Sequence, residues 1–460
     1  MNAMPALSTR ARQTALLSVY GGRVPRYTSY PPATQFTPTV DDDVYAGWLS
    51  ELPVDQPVSL YVHVPFCHRL CWFCGCHSRV VRREDSIHQY TGLLCEELAL
   101  VEARLPAKLK ATQIHFGGGT PNLLSVDDMS VLFGAMRQVF RVPDGAQIAA
   151  EIDPASLTPE WVRAAAFHGL SRASLGVQDL SPDVQAAVNR SESFETVAGA
   201  VGLLRAQGVD SVNFDLMYGL PRQTAAGIQQ TLDRLLTLRP DRLALFGYAH
   251  VPWMKPHQKL IDEHELPGAE ARLEQSESAA ERLVAEGYIR IGLDHFALLD
   301  DSLARAAATG DMTRGFQGYS AGGPETLLGF GVSAIGQLPG GFVQNEASDL
   351  AWRTRIAGGR LAITRGVAAS ARDRLLGDVI KRLMCDFDVD LAETAAWRGE
   401  PGVVSSYQSE QLADLERDGL IVLEGSRIKV TPVGRPFVRS IAAVFDDYFA
   451  PAPARHAAAV

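Results

Sequence analysis

Apolar and polar positions between residues 57 and 250 fall into blocks of two different periods. Short apolar runs rich in β-branched and aromatic residues predict six strands, namely VSLYVHV, ATQIHF, AQIAAEI, RASLGV, SVNFDLMYGL and RLALFGYAHV. Segments between them repeat apolar residues at a spacing of three or four and predict helices, as in VDDMSVLFGAMRQVF and FETVAGAVGLLRAQG. Strands and helices that alternate in this way build a parallel sheet with its helices outside.

Six such strands favour an α/β fold with a partial (β/α)6 TIM-like barrel over a complete barrel of eight. In these barrels the reactive groups collect at the carboxyl ends of the strands. Polar residues or glycines stand at all six predicted ends: Cys67, Gly117–Gly119, Glu151, Gln178, Asp215 and His250. A doubly wound sheet is the alternative fold, but GGGTP lacks the GxGxxG pattern of that fold.

Three other regions flank the barrel, which is predicted over residues 56–300. Residues 1–55 form an N-terminal arm, and its first forty residues hold arginines such as Arg23 and Arg26 but no Asp or Glu. An acid-free arm suits an anionic ligand. Residues 1–15 are predicted to be a disordered tail, with an organelle import peptide as the alternative. The segment PRYTSYPPATQF is predicted to be ordered and packed.

Residues 301–368 are predicted to be a glycine-rich connection that completes the site. Within it, GFQGYSAGGPETLLGFGVSAIG (315–336) predicts a loop or lid. Residues 369–460 predict a small helical domain like a winged helix. SEQLADLERDGL is its helix, IVLEGSRIKVTP turns at Gly425 as a two-stranded wing, and GRPFVRSIAAVFDDYF is a closing helix. The first helix is acidic, so a structural role is expected in place of DNA binding.

Composition narrows the class of protein further. The 460 residues are 46% apolar and 21% charged, with a net charge of −10, which argues against a nucleic-acid partner. No apolar run is long enough to span a bilayer, so no membrane partner is expected. Only six cysteines occur, and Cys95 and Cys385 fall in apolar helical patterns as buried spectators. This usage predicts a reducing cytoplasm.

The other four cysteines lie within CHRLCWFCGCH, residues 67–77. Their spacing is C-x3-C-x2-C, with Cys76 one glycine beyond Cys74. A zinc ribbon would need a second, separate cysteine pair, although a closed zinc site stays an alternative. Three thiolates on a short loop suit a [4Fe–4S] cluster that keeps one iron open. Cys76 is too close to Cys74 to reach another corner of the same cluster, so we predict a functional thiol that is not a ligand.

This cysteine motif after the first barrel strand resembles the radical S-adenosylmethionine (SAM) superfamily. The segments PRYTSYPPATQF, YVHVPFCHRLCWFCGCH, HFGGGTPNLL, SLGVQDLSPDVQAAVNR and YAHVPWMKPHQ resemble one family within it, the oxygen-independent coproporphyrinogen III oxidases. The resemblance implies that a 5′-deoxyadenosyl radical abstracts hydrogen. Two propionates of coproporphyrinogen III then become vinyls, and the product is protoporphyrinogen IX of haem biosynthesis.

The resemblance also implies one cluster and two SAM molecules per chain. The implied cluster ligands are Cys67, Cys71 and Cys74. The residues implied to line the cluster-bound SAM are Tyr61, Gly118, Glu151 and Ile335. Those implied to line the second SAM are Phe73, Gly119, Thr120, Gln178, Arg190, Asp215 and Ala249. Tyr61 and His63 are two apart on a strand and point to one face, so both are expected beside Cys76 in a catalytic role. Arg23 and Arg26 are expected to bind the anionic tetrapyrrole.

A small reducing electron carrier, such as flavodoxin or ferredoxin, is the expected protein partner, and the chain is expected to be a monomer. Two functional alternatives stay open at this point. One is a haem-binding chaperone on the same scaffold, against which the PRYTSYP arm and Cys76 argue. The other is a zinc-stabilised transcription regulator that uses the winged unit.

Overall fold

The structure is a computed structural model that describes residues 8–400 and 406–449. The first seven residues of the predicted tail lie outside the described residues. The prediction of disorder is wrong for the next part, because helix α1 begins at Thr9. Ser8 caps this helix by accepting a hydrogen bond from the N–H of Ala11. One face of the helix is buried, and the Gln13 amide on that face donates to the Pro432 carbonyl at 3.0 Å.

The described strands include the six that the sequence predicts and several short or additional ones. They are β1 (Val58–Val64), β2 (Phe66–Cys67), β3 (Arg79–Val80), β4 (Ala111–Gly118), β5 (Gln147–Ile152), β6 (Leu170–Gln178), β7 (Ser211–Tyr218), β8 (Arg242–Gly247), β9 (Ile289–Ile291), β10 (His295–Ala297), β11 (Thr313–Gly315), β12 (Gly318–Ser320), β13 (Leu327–Phe330), β14 (Ile335–Leu338), β15 (Gly341–Asn345), β16 (Ile363–Ala368), β17 (Asp388–Asp390), β18 (Ile421–Glu424) and β19 (Arg427–Val430).

The described α-helices lie between these strands and at both ends of the chain. They are α1 (Thr9–Tyr20), α2 (Asp42–Ser50), α3 (Asp85–Glu102), α4 (Val126–Val139), α5 (Pro159–Phe167), α6 (Pro182–Ala187), α7 (Phe194–Ala206), α8 (Ala225–Leu235), α9 (Ala269–Ala285), α10 (Ser302–Thr309), α11 (Asp349–Ala357), α12 (Ala371–Asp386), α13 (Leu391–Arg398), α14 (Ser406–Arg417) and α15 (Val438–Ala442).

One large sheet organises the molecule and confirms the predicted partial barrel. Its strand order is β16-β15-β14-β13-β1-β4-β5-β6-β7-β8-β10-β9. The six predicted strands β1, β4, β5, β6, β7 and β8 are adjacent and parallel. Their buried residues join those of the surrounding helices in one large core. The carboxyl ends of these strands therefore meet along one edge, where the predicted site residues stand.

The glycine-rich segment 315–336 differs from its prediction. Part of it is β13, which pairs in parallel with β1, and β14, which continues the sheet outward. The expectation of a loop or lid is therefore wrong for these residues. The glycines allow close strand contact here, since a Cβ on Gly329 would lie 2.6 Å from the Ile335 carbonyl oxygen. The proposed division of the chain after residues 55, 300 and 368 stays a prediction.

The barrel helices begin where the sequence supplies a capping hydroxyl. Ser125, Thr158, Ser193 and Thr224 stand immediately before α4, α5, α7 and α8, and each accepts a hydrogen bond from a first-turn N–H. Such caps satisfy backbone donors that the helix itself cannot pair. Helix starts are thus fixed locally, which is why the predicted helices agree closely with the observed ones.

The N-terminal arm and the C-terminal unit share a second core. Leu17, Val24, Tyr27 and Tyr30 pack with apolar residues of α12, α14 and α15. The Tyr27 hydroxyl donates to Asp446 at 3.1 Å, and the Tyr30 hydroxyl accepts from the Asp447 N–H at 2.9 Å. This confirms that PRYTSYPPATQF is an ordered, packed segment.

The C-terminal unit has the predicted helix and wing with two differences. The wing turns at Gly425 as expected, but β17 joins β19 and β18 to make three strands. The closing helix is shorter than predicted, since only α15 is α-helical and short 3-10 turns flank it. Cys385 is buried as expected, whereas Cys95 is only half-buried. Among the described residues, no helix combines the length and apolar character needed to cross a bilayer.

Candidate active site

The cysteine loop leaves β1 at the edge where the barrel strands end. Cys67 belongs to the short strand β2, and Cys67, Cys71 and Cys74 are all half-buried. The segment that follows β6 and α6 holds the loop in place. The Trp72 N–H donates to the Val188 carbonyl at 3.0 Å, and the Asn189 amide donates to the Leu70 carbonyl at 2.8 Å. The loop is therefore fixed through its backbone, which leaves its thiols available.

Two polar groups point at sulfur atoms of this loop. The Thr120 hydroxyl donates to Cys67 Sγ at 3.5 Å, and Arg190 Nη1 donates to Cys71 Sγ at 3.6 Å. Hydrogen bonds and a nearby cation both stabilise thiolate, the form that binds iron. Burial raises the pKa of Cys67 to about 11, so a bound metal would have to displace its proton. Three half-buried thiols with these donors fit a cluster held by three cysteines.

Cys76 occupies a different position from the three other thiols of the loop. It is exposed and borders a cavity at this edge of the barrel. Its thiol shares a hydrogen bond with Cys74, which lowers the pKa of Cys74 to about 6 and raises the pKa of Cys76. Lys255 Nζ donates to the Cys76 carbonyl at 3.0 Å, which holds this turn of the loop. Among the described residues, no three Cys, His, Asp or Glu side chains converge as around a single ion.

Tyr61 and His63 point to the same face of β1, as predicted, and are hydrogen-bonded to each other. His63 Nε2 lies 2.8 Å from the His77 carbonyl oxygen, which can only accept, so Nε2 carries a proton. Burial lowers the pKa of His63, so Nδ1 is an unprotonated acceptor for the Tyr61 hydroxyl at 2.9 Å. The chain Tyr61–His63–His77 thus links β1 to the end of the cysteine loop.

Glu151 lies between the predicted glycine run and His115. Its carboxylate accepts from the Gly118 N–H at 3.1 Å and from His115 Nε2 at 3.3 Å. Burial alone would raise the pKa of Glu151, but the hydrogen bond from His115 and the other polar contacts outweigh it and lower the pKa. Glu151 is therefore a carboxylate that can bind an ammonium or hydroxyl group. His115 was missed by sequence reasoning, although it lies two residues before Gly117 on the same strand face.

Asp215 lies within β7 and not at its end, which corrects its predicted position. Its carboxylate accepts from the Ser174 hydroxyl at 2.7 Å and the Asn213 amide at 2.9 Å. Burial raises the pKa of Asp215. Asp215 and Glu151 both border the cavity that Cys76 borders. The structure therefore brings these three predicted residues to one space.

The remaining residues predicted to line the second SAM meet in pairs. The Gln258 amide donates to the carbonyls of both Phe73 (3.0 Å) and Ala249 (3.2 Å). Arg190 hydrogen-bonds to the Gly176 carbonyl, next to Gln178, whose backbone is left-handed with φ 68°. Gln258 is a positioning residue that sequence reasoning did not single out.

Two residues of the predicted SAM sites contact the cysteine loop directly, and a third reaches β1 through β13. A Cβ on Gly119 would lie 2.9 Å from Cys67 Sγ, so a side chain there would crowd the cluster ligand. Thr120 donates to the same sulfur. Ile335 begins β14, and its carbonyl contacts Gly329, the residue that pairs with Tyr61 across β1 and β13. Residues of both predicted SAM sets thus lie beside the cysteine loop or the strands next to it, and their roles stay predictions.

The cavity has a volume of about 380 Å³ and a markedly cationic lining. Six arginines border it, and sequence reasoning found only Arg26 among them. The six are Arg26, Arg172, Arg272, Arg290, Arg314 and Arg439. Four carboxylates, Glu151, Asp215, Glu277 and Asp294, also border it. The other predicted substrate residue, Arg23, lies over the ring of Trp253 at 5.1 Å and is not part of this lining, so its role stays a prediction.

Comparison with family models identifies two parts of the chain. The model of the Radical SAM superfamily matches residues 61–235, which include the cysteine loop and most of the barrel. The model of the HemN C-terminal domain matches residues 369–437. The chain thus matches a radical SAM barrel followed by a second domain known from HemN.

Curated relatives match nearly the whole chain. An oxygen-independent coproporphyrinogen III oxidase of Bradyrhizobium diazoefficiens is 47% identical over 438 residues, which cover 95% of this chain and 97% of the relative. One of Paracoccus denitrificans is 41% identical over 436 residues, covering 95% and 96%. The solved structure of coproporphyrinogen III oxidase (HemN) from Escherichia coli, a radical SAM enzyme, superposes with a TM-score of 0.88 at 35% identity. That match covers 95% of this chain and 99% of the other.

Proposed function

The chain belongs to the oxygen-independent coproporphyrinogen III oxidases of the radical SAM superfamily, and from that premise we propose how its cavity serves the reaction. The enzyme converts two propionates of coproporphyrinogen III to vinyls and makes protoporphyrinogen IX for haem biosynthesis. A [4Fe–4S] cluster and SAM are the cofactors of its superfamily. One observation carries the proposal: Cys76 of the cysteine loop and six arginines border the same cavity.

Cys67, Cys71 and Cys74 would hold one cluster, which would leave one iron without a protein ligand. When bound, the cluster and SAM supply a 5′-deoxyadenosyl radical that takes a hydrogen atom from a substrate propionate. Tyr61, Gly118, Glu151 and Ile335 bind the SAM at the cluster. The Glu151 carboxylate, held by His115 and Gly118, suits the ammonium or ribose hydroxyls of that molecule.

A second SAM molecule binds beside the first in this proposal. Its pocket consists of Phe73, Gly119, Thr120, Gln178, Arg190, Asp215 and Ala249. Support comes from the pairing of these residues around Gln258 and Gly176 and from the open cavity beside Asp215. The Asp215 carboxylate, fixed by Ser174 and Asn213, is placed to accept hydrogen bonds from ligand hydroxyls or from an ammonium group.

The tetrapyrrole occupies the cavity between the cysteine loop and the N-terminal arm. Its four carboxylates require cations already in place, and guanidinium groups bind carboxylates through two parallel hydrogen bonds. Arg26 supplies one such group from the arm, where its Nη2 donates to the Gly247 carbonyl at 2.9 Å. The cofactors perform the difficult bond cleavage, so the protein chiefly orients the substrate and excludes water.

Cys76, Tyr61 and His63 form the reactive end of the cavity. Cys76 borders the cavity, and its thiol shares a hydrogen bond with Cys74. Tyr61 donates its hydroxyl proton to His63 Nδ1, which keeps the phenol oriented along β1. The tautomer of His63 is fixed, because its Nε2–H donates to the His77 carbonyl. The hydrogen-atom transfer itself needs no acid or base with a strongly shifted pKa.

A small reducing protein such as flavodoxin or ferredoxin delivers the electron to the cluster, and the enzyme works as a monomer in the cytoplasm. The support for that compartment is the cysteine usage, since four of the six cysteines lie in one loop and the other two are solitary, which does not suit a disulfide framework. Each substrate radical loses CO2 and one electron when the vinyl group forms. An electron acceptor that is neither SAM nor the substrate takes up that electron.

Purification and reconstitution without air test the proposal. The parent protein should hold about four irons, show the broad absorbance of an iron–sulfur cluster and bind two SAM molecules per chain. Turnover of coproporphyrinogen III should give vinyl product and 5′-deoxyadenosine. A Cys71→Ser variant is the negative control. A colourless protein with one zinc per chain, or one SAM per chain at saturation, would contradict the cluster or the second SAM site respectively.

A further inference from the structure

Arg314 is a buried cation with unused hydrogen-bonding capacity. It lies on β11, borders the cavity, and its side chain is only 7% exposed. Nη2 donates to the Arg26 carbonyl at 3.4 Å, and the guanidinium lies 4.5 Å from the centre of the Tyr319 ring. Nε and Nη1 are buried and make no hydrogen bond. Buried donors of a charged group are costly to leave unpaired, so this arrangement suits a ligand that completes it.

The nearest carboxylate compensates only part of the local charge. Asp294 Oδ1 lies 3.9 Å from Arg314 Nη1, too far for a hydrogen bond, and His295 Nδ1 donates to the same oxygen at 2.7 Å. Burial alone would raise the pKa of Asp294, but the hydrogen bond from His295 and the charge of Arg314 outweigh it and lower the pKa. Asp294 is therefore ionised and already engaged.

Two further arginines add positive charge around Arg314. Arg439 reaches the arm from α15, where its guanidinium donates to the carbonyls of Val24 and Pro25. Burial, and after it the charge of Arg26, lowers the pKa of Arg439 to about 9, so Arg439 stays charged at neutral pH. The buried Arg314 and Arg439 and the exposed Arg26 beside one engaged carboxylate leave an excess of positive charge, and an anion would neutralise it.

We propose that Arg314, with Arg26 and Arg439 beside it, binds a substrate carboxylate that is kept in the product. This inference rests on the proposed function and adds a subsite to it. The unpaired Nε–H and Nη1–H of Arg314 can each donate to a carboxylate oxygen, and the charge of the guanidinium strengthens such a hydrogen bond. Arg314 is thus a specificity-determining residue that selects tetrapyrroles with a propionate at the position opposite the reacting one.

The charge of the two ends of the cavity explains why the bound carboxylate is a retained one. Glu151 and Asp215 border the cavity beside Cys76, and Glu151 is ionised. The arginines attract substrate carboxylates more strongly than this end does, so the carboxylates that do not react bind at the arginines. Two of the four propionates survive the reaction. One of them can therefore bind at the arginine end, formed by Arg26, Arg314 and Arg439, while a propionate beside Cys76 loses CO2.

Binding of a stable porphyrin tests this subsite without the radical chemistry. The probes are coproporphyrin III and its tetraamide, which has the same length and no charge. Arg314→Gln should bind coproporphyrin III about 10- to 100-fold more weakly than the parent protein, because a charged hydrogen-bonded pair is lost. Its affinity for the tetraamide should stay unchanged. Arg314→Lys keeps the positive charge but lacks the planar guanidinium donors. Its affinity for coproporphyrin III should therefore lie between those of the parent protein and Arg314→Gln.

Arg234→Gln is the matched control, because Arg234 is an exposed arginine paired with Glu195 outside the cavity. It should bind both probes like the parent protein. Equal weakening of both probes in Arg314→Gln, or no weakening of either, would overturn the inference. Conversion of coproporphyrinogen III by the parent enzyme tests the proposed function separately, since porphyrin binding needs neither SAM nor a reduced cluster.

Discussion

The two ends of the cavity are assembled in opposite ways. At the cluster end, four thiols come from ten consecutive residues, Cys67 to Cys76, and neighbouring strands only add donors to them. At the arginine end, Arg26 comes from the arm, Arg314 from a short hairpin and Arg439 from the C-terminal unit. The chemistry of the first end is local in sequence, whereas that of the second exists only after the whole chain has folded.

The cluster end should give the largest effects when it is changed. Cys74→Ser should lose most of its iron and all SAM cleavage, because one of three cluster ligands is gone. Cys76→Ser should keep about four irons and the cluster absorbance, yet its substrate turnover should fall by at least about 100-fold, the size of effect typical for a positioned proton donor. Iron content, absorbance and 5′-deoxyadenosine release distinguish the two variants. Equal iron loss in both would make Cys76 a fourth ligand.

Asp215→Ala probes the space between the two ends, and its effect should be the next largest. The variant removes a fixed carboxylate but no thiol, so it should keep its iron and bind about one SAM per chain in place of two. Turnover should fall in parallel. Equilibrium dialysis with labelled SAM gives the number bound. Asp183→Ala, at the exposed start of α6, is the control. Two SAM molecules and full activity in Asp215→Ala would show that the assignment is wrong.

Much of the cluster end was predictable because its signals are short-range. The six strands have apolar runs bounded by turn residues, and four helices begin after a capping Ser or Thr. The spacing of Cys67, Cys71 and Cys74 needs no tertiary information. The family resemblance added the SAM residues, and the structure places them around the loop without testing their roles.

The parts that were missed depend on contacts between distant segments. β13 and β14 contain glycines that suggested a loop, yet Gly329 is required by its contact with Ile335 across the strands. Arg314 and Arg439 stand alone in the sequence, and nothing near them shows that they meet Arg26. Asp294, which partly balances their charge, lies between β9 and β10, and its sequence neighbours do not reveal that it meets Arg314.

Arg26→Ala tests whether the arginine end binds the substrate and has no part in binding SAM or the cluster. Removing one of its cations should raise the KM for coproporphyrinogen III about 10-fold, the usual cost of a charged hydrogen bond. SAM binding and the iron content should stay near those of the parent. Arg23→Ala changes a neighbouring arginine that lies over Trp253, so its KM should change less. An unchanged KM in Arg26→Ala would remove this residue from the substrate site.

The smallest effect on turnover is expected for Glu97, which supports the cluster end from behind. This buried carboxylate accepts from the Gly331 N–H at 2.7 Å and the Asn345 amide at 2.6 Å. Next to it, the Tyr90 hydroxyl accepts from the Val332 N–H at 3.0 Å and donates to the His63 carbonyl at 2.8 Å. Glu97 thus helps to hold β13 against the end of β1 without contacting the cavity.

Burial raises the pKa of Glu97 to about 7, whereas a glutamate in the unfolded chain titrates near 4.3. Between these values the folded state holds a proton that the unfolded state has released, so Glu97 lowers stability as pH rises from about 4.3 to 7. Glu97→Gln lacks this titration. The unfolding free energy of the parent minus that of the variant should therefore fall by up to about 3 kcal/mol between pH 5 and 8. Denaturant titrations at several pH values measure it, with the exposed neighbour Glu96→Gln as control. If this difference in unfolding free energy stayed constant across the pH range, the pKa of Glu97 would not be raised by folding. Glu97 would then support the cluster end as an ionised carboxylate and not as a protonated carboxyl group.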